Sequence, residues 1–230
     1  MTAMPDLVEY RELIRTAMTA LTADADGLGG DSVLTTVTTA AVTLIRGAEW
    51  ADVMLIDDSD FRCVAATADF ITELDAVQMR HQQGPCVEAA IEDAVVRGPN
   101  LSTEDRWPHF TRAAIRAGVH SVLTFQLSAP QHSAAALNLY GRAAGTFNAE
   151  DEAIGATLAA YATTVLLAER TRSELKSRLT DCETIGHATG ILMERLHVDA
   201  AEARGILNQR ARDAGAPSLR SIADSIVATV

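Results

Sequence analysis

Apolar residues recur along this chain with two periods, helical at both ends and strand-like in the middle. Leu7, Tyr10, Ile14, Met18 and Leu21 predict an amphipathic helix over residues 5–22. An Asp- and Gly-rich loop separates it from a second helix, which Asp31 or Ser32 can cap and which carries Leu34, Val37, Ala41 and Leu44 on one face. Two short apolar runs, residues 50–56 and 61–66, flank Asp57, Asp58, Ser59 and Asp60, a hairpin signal. A helix over residues 70–80 follows, then the Gln83-Gly84-Pro85-Cys86 turn, a short helix to Ile91 and a brief strand at residues 95–97. A helix over residues 105–117, stopped by Gly118, leads to two clear strands, residues 121–127 and 134–140. Strands that follow one another through turns and short helices predict an α+β domain, an antiparallel sheet with helices packed on it.

From Glu150 the period changes. Ile154, Leu158, Tyr161, Val165, Ala168, Arg172, Leu175, Leu179 and Cys182 succeed one another by alternating steps of four and three, an a/d seam interrupted by Arg172. The seam continues past the last strand into the charged stretch from Glu169 to Arg178, so residues 150–182 are expected to form an exposed coiled-coil helix that joins two chains in parallel. Packing of part of the seam on the sheet is the plainer alternative. The step from Cys182 to Ile185 repeats a three, a stammer that turns Ile185, Ala188, Leu192 and Leu196 toward a new partner. Asp199 with Glu202 reads as a capping-box start for a helix carrying Ala203, Ile206, Leu207 and Ala211. Gly215 and Pro217 end it, and Ser218 can cap a last helix with Leu219, Ile222, Ala223, Ile226 and Val227. Together these predict a three-helix bundle. Its outward face carries an i, i+4, i+8 stripe of Arg204, Asn208 and Arg212, and Gly186 and Gly190 form a small-residue stripe on the preceding helix.

Composition narrows the function classes. The chain has 230 residues, 48% hydrophobic and 22% charged, enough apolar material for a core and too little charge for a disordered chain. Its one lysine is Lys176; every other basic residue is an arginine. The first 175 residues therefore lack the lysine of a P-loop, of a kinase strand or of a Schiff-base enzyme, and a receiver domain is disfavoured for the same reason. The amino-terminal residues have no basic segment followed by an apolar run, and no window resembles a membrane span, so the expected location is the cytoplasm. The net charge of −12 argues at first against nucleic acid. Divided at residue 169, however, the first part carries −13 and the remainder +1, so the acidity belongs to the first domain.

Candidate chemistry is sparse. Cys63, Cys86 and Cys182 show no CxxC spacing, which disfavours disulfides and structural zinc, and no cofactor is expected. Cys86 follows Gly84-Pro85 near an expected helix start, where a thiolate would be favoured; the alternative is a small buried residue in a tight turn. Trp107 and Phe110 either line a ligand pocket or anchor a loop on the core. The aspartates at 57, 58 and 60 lack the glycine and distal glutamate of an EF-hand and read as turn residues. His81, His109, His120 and His132 can meet only through the fold. No Gly-x-Ser-x-Gly or credible triad is present, and a non-enzyme is expected.

Two segments carry family resemblances. Ile185-Gly186-His187-Ala188-Thr189-Gly190-Ile191-Leu192-Met193-Glu194-Arg195, followed by Glu202-Ala203, Leu207, Ala211 and Leu219-Arg220-Ser221-Ile222-Ala223, strongly resembles the ANTAR domain over about residues 170–230. The resemblance implies a three-helix extension of a coiled coil that binds RNA stem-loops and acts in transcription antitermination. Its motif core is Ala188, Gly190, Met193, Ala203, Leu207, Ala211, Leu219 and Ala223. The chain departs from the family at Thr189, where Lys or Arg is frequent, at Arg204, where an aromatic is common, and at Asn208, where Arg is common. Arg195, Arg204, Arg210, Arg212 and Arg220 are the candidate RNA contacts.

Gln83-Gly84-Pro85-Cys86-Val87-Glu88-Ala89, Arg106-Trp107-Pro108-His109-Phe110, Gly118-Val119-His120-Ser121-Val122-Leu123 and Ala136-Leu137-Asn138-Leu139-Tyr140-Gly141 resemble a GAF domain over residues 30–168. That implies a sensor with a cavity between an antiparallel sheet and covering helices, and it leaves Cys86, Trp107 and Phe110 as candidates for ligand or redox contact. The resulting expectation is an amino-terminal helix (1–29), a GAF sensor (30–168), an overlapping linker helix (150–182) and an ANTAR bundle (170–230). Such a chain would be a homodimeric regulator that takes a small-molecule or protein input at the GAF domain and binds RNA in a nascent transcript. The alternative is a dimeric scaffold that has lost RNA binding and acts through protein contacts.

Overall fold

The computed structural model describes residue 19 and residues 30–57, 60–91, 94–129, 134–215 and 218–229. The expected first helix, residues 5–22, lies outside the described residues apart from Thr19. The chain divides into two compact units, residues 1–170 and 171–230.

In the first unit, helix α1 (Gly30–Leu44) precedes strands β1 (Trp50–Asp57) and β2 (Asp60–Val64), then α2 (Phe70–His81), α3 (Pro85–Ile91), β3 (Val95–Gly98), a 3-10 turn, α4 (Pro108–Arg116), β4 (Ser121–Leu127), β5 (Ala134–Gly141) and the start of α5 (Ala149–Leu196). The five strands form one sheet in the order β2-β1-β5-β4-β3, antiparallel at every pairing. The Asp57–Asp60 pair closes the expected hairpin. Two boundaries differ from expectation by two residues or more. Strand β2 stops at Val64 because Ala65 takes a positive φ of 59°, and α4 begins at Pro108, whose fixed φ and missing N–H suit the first helical position.

Both faces of the sheet are buried, which explains why the central strands read as nearly continuous apolar runs. Odd-numbered residues, among them Val53, Leu55, Leu123, Phe125, Leu137 and Leu139, pack with Leu34, Val37 and Ala41 of α1 and with Leu158, Ala162 and Leu166 of α5. Even-numbered residues turn to the other face, where Val122 and Tyr140 meet Ile71, Leu74, Phe110 and Ala114 of α2 and α4, and Met54, Ile56 and Ala136 meet Cys86 of α3.

The heptad seam is thereby partly reassigned. Residues 154–166 supply the first unit's own core through the seam residue Leu158 and through Ala162 and Leu166 beside the seam, with Ile154 and Tyr161 packed against it, so this stretch is not an exposed coiled coil. Only from Ala168 does the seam reach solvent, with Leu175 at 55% and Leu179 at 65% exposure. Gly155 is required where α5 crosses β4, since a Cβ there would lie 2.4 Å from a ring carbon of buried Phe125. Gly155→Val is expected to destabilise the first unit by about 1–3 kcal/mol through overpacking, read as a lower Tm.

In the second unit, the end of α5 packs with α6 (Ala200–Asp213) and α7 (Leu219–Val227) around Ala188, Leu192, Ala203, Leu207, Ala223 and Ile226, the expected three-helix bundle. The caps fall where the sequence puts them: the Asp199 carboxylate accepts from the Glu202 N–H at 2.9 Å, and the Ser218 hydroxyl oxygen accepts from the Ser221 N–H at 3.2 Å.

Candidate functional site

The first unit holds a buried polar cluster on the sheet face beneath α2 and α3. It starts from the register: Asp52 of β1 lies opposite Asn138 of β5, and Asn138 lies opposite Thr124 of β4, so three polar side chains cross the central strands in one row. All three are fully buried. The Thr124 hydroxyl donates to Asn138 Oδ1 at 2.9 Å, which turns the Asn138 NH2 toward the opposite strand, where Asp52 stands. From above, α2 adds Asp75 and Gln78, and from the edge strand β2 comes Cys63, whose Sγ is 3.6 Å from Asp52 Oδ2. Gln78 donates to Asp75 Oδ1 at 3.2 Å and accepts from the Cys86 N–H at 3.0 Å, tying α2 to the start of α3. Gly84 permits this clamp, because a Cβ there would lie 2.2 Å from Gln78 Oε1 and the residue has φ +144°. Among the described residues, Asp52 Oδ1, Asp75 Oδ2, Asn138 Nδ2 and the Tyr140 hydroxyl make no hydrogen bond of ordinary geometry, although Asn138, Asp75 and Tyr140 all neighbour Asp52.

Electrostatics follow from burial. Desolvation and then the Asp75 carboxylate push Asp52 well above the usual carboxylate range. Desolvation raises Asp75 from 3.8 to about 6. The Cys63, Cys86 and Tyr140 groups are all raised, by burial first and by the two aspartates next. A thiolate at Cys86, expected from its place near a helix start, is thus disfavoured: the residue is in the core and its thiol holds its proton. Because folded Asp75 binds its proton more tightly than the unfolded chain does, its contribution is fully stabilising below about pH 4 and is lost as pH rises through 6. The stability of the native sequence relative to Asp75→Asn is expected to fall as pH rises from 4 to 7, read by denaturant titration at each pH. A pH-independent difference would contradict this.

Trp107 and Phe110 lie in the core, their rings edge to face, and not on an open pocket wall. Trp107 Nε1 donates to Glu88 at 2.9 Å, while Arg106 stacks on the Trp107 ring and bonds to Glu88, Glu104 and the Arg97 carbonyl. This segment therefore pins α3 to β3. Of the histidines, the fold brings exposed His81 and His109 into a parallel stack with centroids 3.9 Å apart and leaves His120 elsewhere; His132 lies outside the described residues.

In the second unit the candidate arginines separate into two groups. Arg220 pairs with Asp181 at 2.6 Å and with Asp224 at 3.4 Å, and Arg195 donates to the hydroxyl and carbonyl oxygens of Thr229. Arg204, Arg210 and Arg212 of α6 are exposed; Arg212 bonds only to Gln209 at 2.9 Å, and the other two have no polar partner among the described residues. Arg195 and Arg210 line a cleft of about 320 Å³ whose floor is Leu192 and Ile226 and whose rim includes Leu196. Thr189 bonds back to the Ile185 carbonyl, and Asn208 is exposed beside Arg204 and Arg212. Of the motif positions, Ala188, Ala203, Leu207 and Ala223 are buried, Ala211 and Leu219 are half-buried, and Gly190 and Met193 are exposed.

Residues 30–166 match the family model described as a GAF domain, and residues 173–227 match the one described as an ANTAR domain. The chain belongs to the GAF family and carries a carboxy-terminal ANTAR domain. Similar solved structures include the free methionine-R-sulfoxide reductase from Neisseria meningitidis (14% identity, covering 75% of this chain and 96% of that one, TM-score 0.55). Another is the GAF domain of a phosphoenolpyruvate-protein phosphotransferase from Coxiella burnetii (12%, 74% and 99%, TM-score 0.56). A third is the phytochrome photosensory core module from Stigmatella aurantiaca (12%, 91% of this chain and 46% of that one, TM-score 0.57). At these identities they share the fold. No curated protein matches the chain.

Within the GAF domain, reading the sequence found Cys86, Trp107 and Phe110 but missed the Asp52, Asp75 and Cys63 cluster. A signal for it was present: Asp52 and Asn138 each interrupt an otherwise apolar strand, and a polar residue inside such a strand marks a buried group that needs a partner. The ANTAR domain surface was read more directly, because helical periodicity alone puts Arg204 and Arg212 outside.

Proposed function

We propose that this GAF–ANTAR chain is a dimeric, signal-responsive regulator that binds RNA stem-loops through its ANTAR domain and controls transcription antitermination. The match of residues 173–227 to the ANTAR family carries the reading. The unpaired, exposed guanidinium groups of Arg204 and Arg210, with Arg212 beside them, support it, since phosphate contacts release counterions only where cations are free to make them. The GAF domain takes the input, a small molecule or a protein segment, and the signal acts by shifting the population of helix α5 packings between chains. We place this activity in the cytoplasm, with binding rather than catalysis as the chemistry; the raised thiols of Cys63 and Cys86 supply no ready nucleophile. No helix among the described residues is long and apolar enough to cross a membrane.

Leu175 and Leu179 support dimerisation, since two exposed leucines at seam positions need a cover. Leu175→Lys with Leu179→Lys is expected to yield monomers in sedimentation equilibrium, with RNA affinity reduced at least about tenfold by loss of the second bundle. An unchanged sedimenting mass would remove the seam from the dimer.

The protein scaffold is the second reading, favoured by the commitment of Arg195 and Arg220 to contacts within the bundle. Crosslinking in cells followed by sequencing separates the two. Enrichment of transcripts with paired stem-loops is the expected result, and a protein-only crosslink pattern would establish the scaffold.

A further inference from the structure

We propose that Asp52, Asp75 and Cys63 of the GAF domain together bind one divalent transition-metal ion of the zinc class. Each offers one ligand atom, and these atoms lie within 4.8 Å of one another although the residues come from β1, α2 and β2. The 3.6 Å separation of Cys63 Sγ and Asp52 Oδ2, spanned here by the thiol's hydrogen bond to the carboxyl, also fits the edge of a tetrahedron about a zinc-sized ion, for which sulfur at about 2.3 Å and oxygen at about 2.0 Å give roughly 3.5 Å.

The surroundings point the same way. Among the described residues, Asp52 Oδ1 and Asp75 Oδ2 are fully buried oxygens that make no hydrogen bond of ordinary geometry, and no arginine, lysine or histidine forms an ion pair with either carboxylate. Without a cation the two buried carboxyl groups can coexist only with a proton held at Asp52, and a bound divalent ion takes the place of that proton. The outer shell is formed as a metal site requires: Gln78 holds the other oxygen of Asp75, and the unpartnered Asn138 NH2 is aimed at the Asp52 strand because Thr124 occupies its Oδ1. One thiolate with two carboxylates suits zinc or ferrous iron and disfavours magnesium and calcium, which need more oxygens and no sulfur. Cys63, on edge strand β2 and half-buried, marks a route in. As the metal binds, the Cys63 proton and the proton held by the buried Asp52 carboxyl both leave to buffer, with no change in oxidation state. The site goes beyond the RNA-binding reading, and its test involves no RNA.

The full-length protein, stripped with a chelator and reloaded with cobalt(II), is expected to bind one ion per chain and to show a thiolate-to-cobalt charge-transfer band, which added zinc abolishes. Cys63→Ser removes the band, whereas Cys86→Ser and Cys182→Ser keep it. Asp52→Asn and Asp75→Asn each weaken binding at least about 100-fold, and Asn138→Ala weakens it about tenfold to 100-fold. A measurement on the unmodified chain covers failure of a variant to fold: zinc protects Cys63 from alkylation, read by mass spectrometry, and leaves exposed Cys182 reactive. The proposal is overturned by absence of the band in the native sequence, by its survival in folded Cys63→Ser, or by alkylation of Cys63 that zinc does not slow.

Discussion

Leu207→Ala is expected to unfold the ANTAR bundle and abolish RNA binding while the GAF domain stays folded. Leu207 is fully buried, and three of the five other buried core residues, Ala188, Ala203 and Ala223, are alanines that contribute little volume. Among the described residues, Leu192, Leu207 and Ile226 are the only large side chains at its fully buried centre, with Ile185, Ile191, Ile206 and Ile222 among the half-buried residues packed around them. Truncating a buried leucine costs about 2–5 kcal/mol, and a core in a unit as small as residues 171–230 supplies roughly 3–5 kcal/mol in all. The substitution removes most of that. Hydrogen exchange is the measurement: protection over residues 200–213 and 219–227 collapses, and protection over β1, β4 and β5 is unchanged. Retained protection in α6 and α7 would mean that contacts outside this core stabilise the bundle.

The second large effect concerns the exposed arginines. Changing Arg204, Arg210 and Arg212 together to alanine is expected to lower affinity for a two-stem-loop RNA about 100-fold at moderate salt and to reduce the slope of log K against log salt by about three, since each lost phosphate contact removes about one. Arg220→Ala is the contrasting case. Its guanidinium is already paired with Asp181 and Asp224, so its removal is expected to loosen the junction of α5 with α7 and to leave the salt slope nearly unchanged. A larger slope change from Arg220 than from the triple variant would place the RNA on the α7 side.

These two results rest on parts of the chain that its sequence displays to different degrees. The bundle was legible almost completely, because Asp199, Glu202, Ser218 and the apolar spacing are local signals that tertiary structure had no reason to override. In the GAF domain the elements indicated an antiparallel sheet but not its strand order, because Trp50 pairs with Tyr140 across most of the domain and no local signal shows that they meet. The heptad seam was misleading over residues 154–166. A stripe that packs on a sheet and one that packs on another helix have the same period, and only the sheet's presence decides between them. The fate of the five arginines was hidden for a related reason: Asp181 is thirty-nine residues from Arg220, and no local pattern shows that they meet. The Asp52, Asp75 and Cys63 cluster was hidden similarly, since its members are spaced by eleven and twelve residues on three elements, whereas the metal motifs readable from sequence are short repeats on one loop or helix.

The two halves also reconcile the proposed RNA binding with so acidic a chain. The charge of −13 lies before residue 170, and the candidate contacts lie in a tail of charge +1. By this account the GAF domain repels RNA and the ANTAR arginines attract it, so both terms must appear in the salt dependence. Equilibrium binding of the full-length protein to a two-stem-loop RNA across a salt series measures them together. The account predicts affinity that falls steeply and linearly on logarithmic axes, with the slope reduced by about three in the Arg204, Arg210 and Arg212 variant. Binding that does not weaken as salt is raised, or no binding by the intact chain, would contradict it.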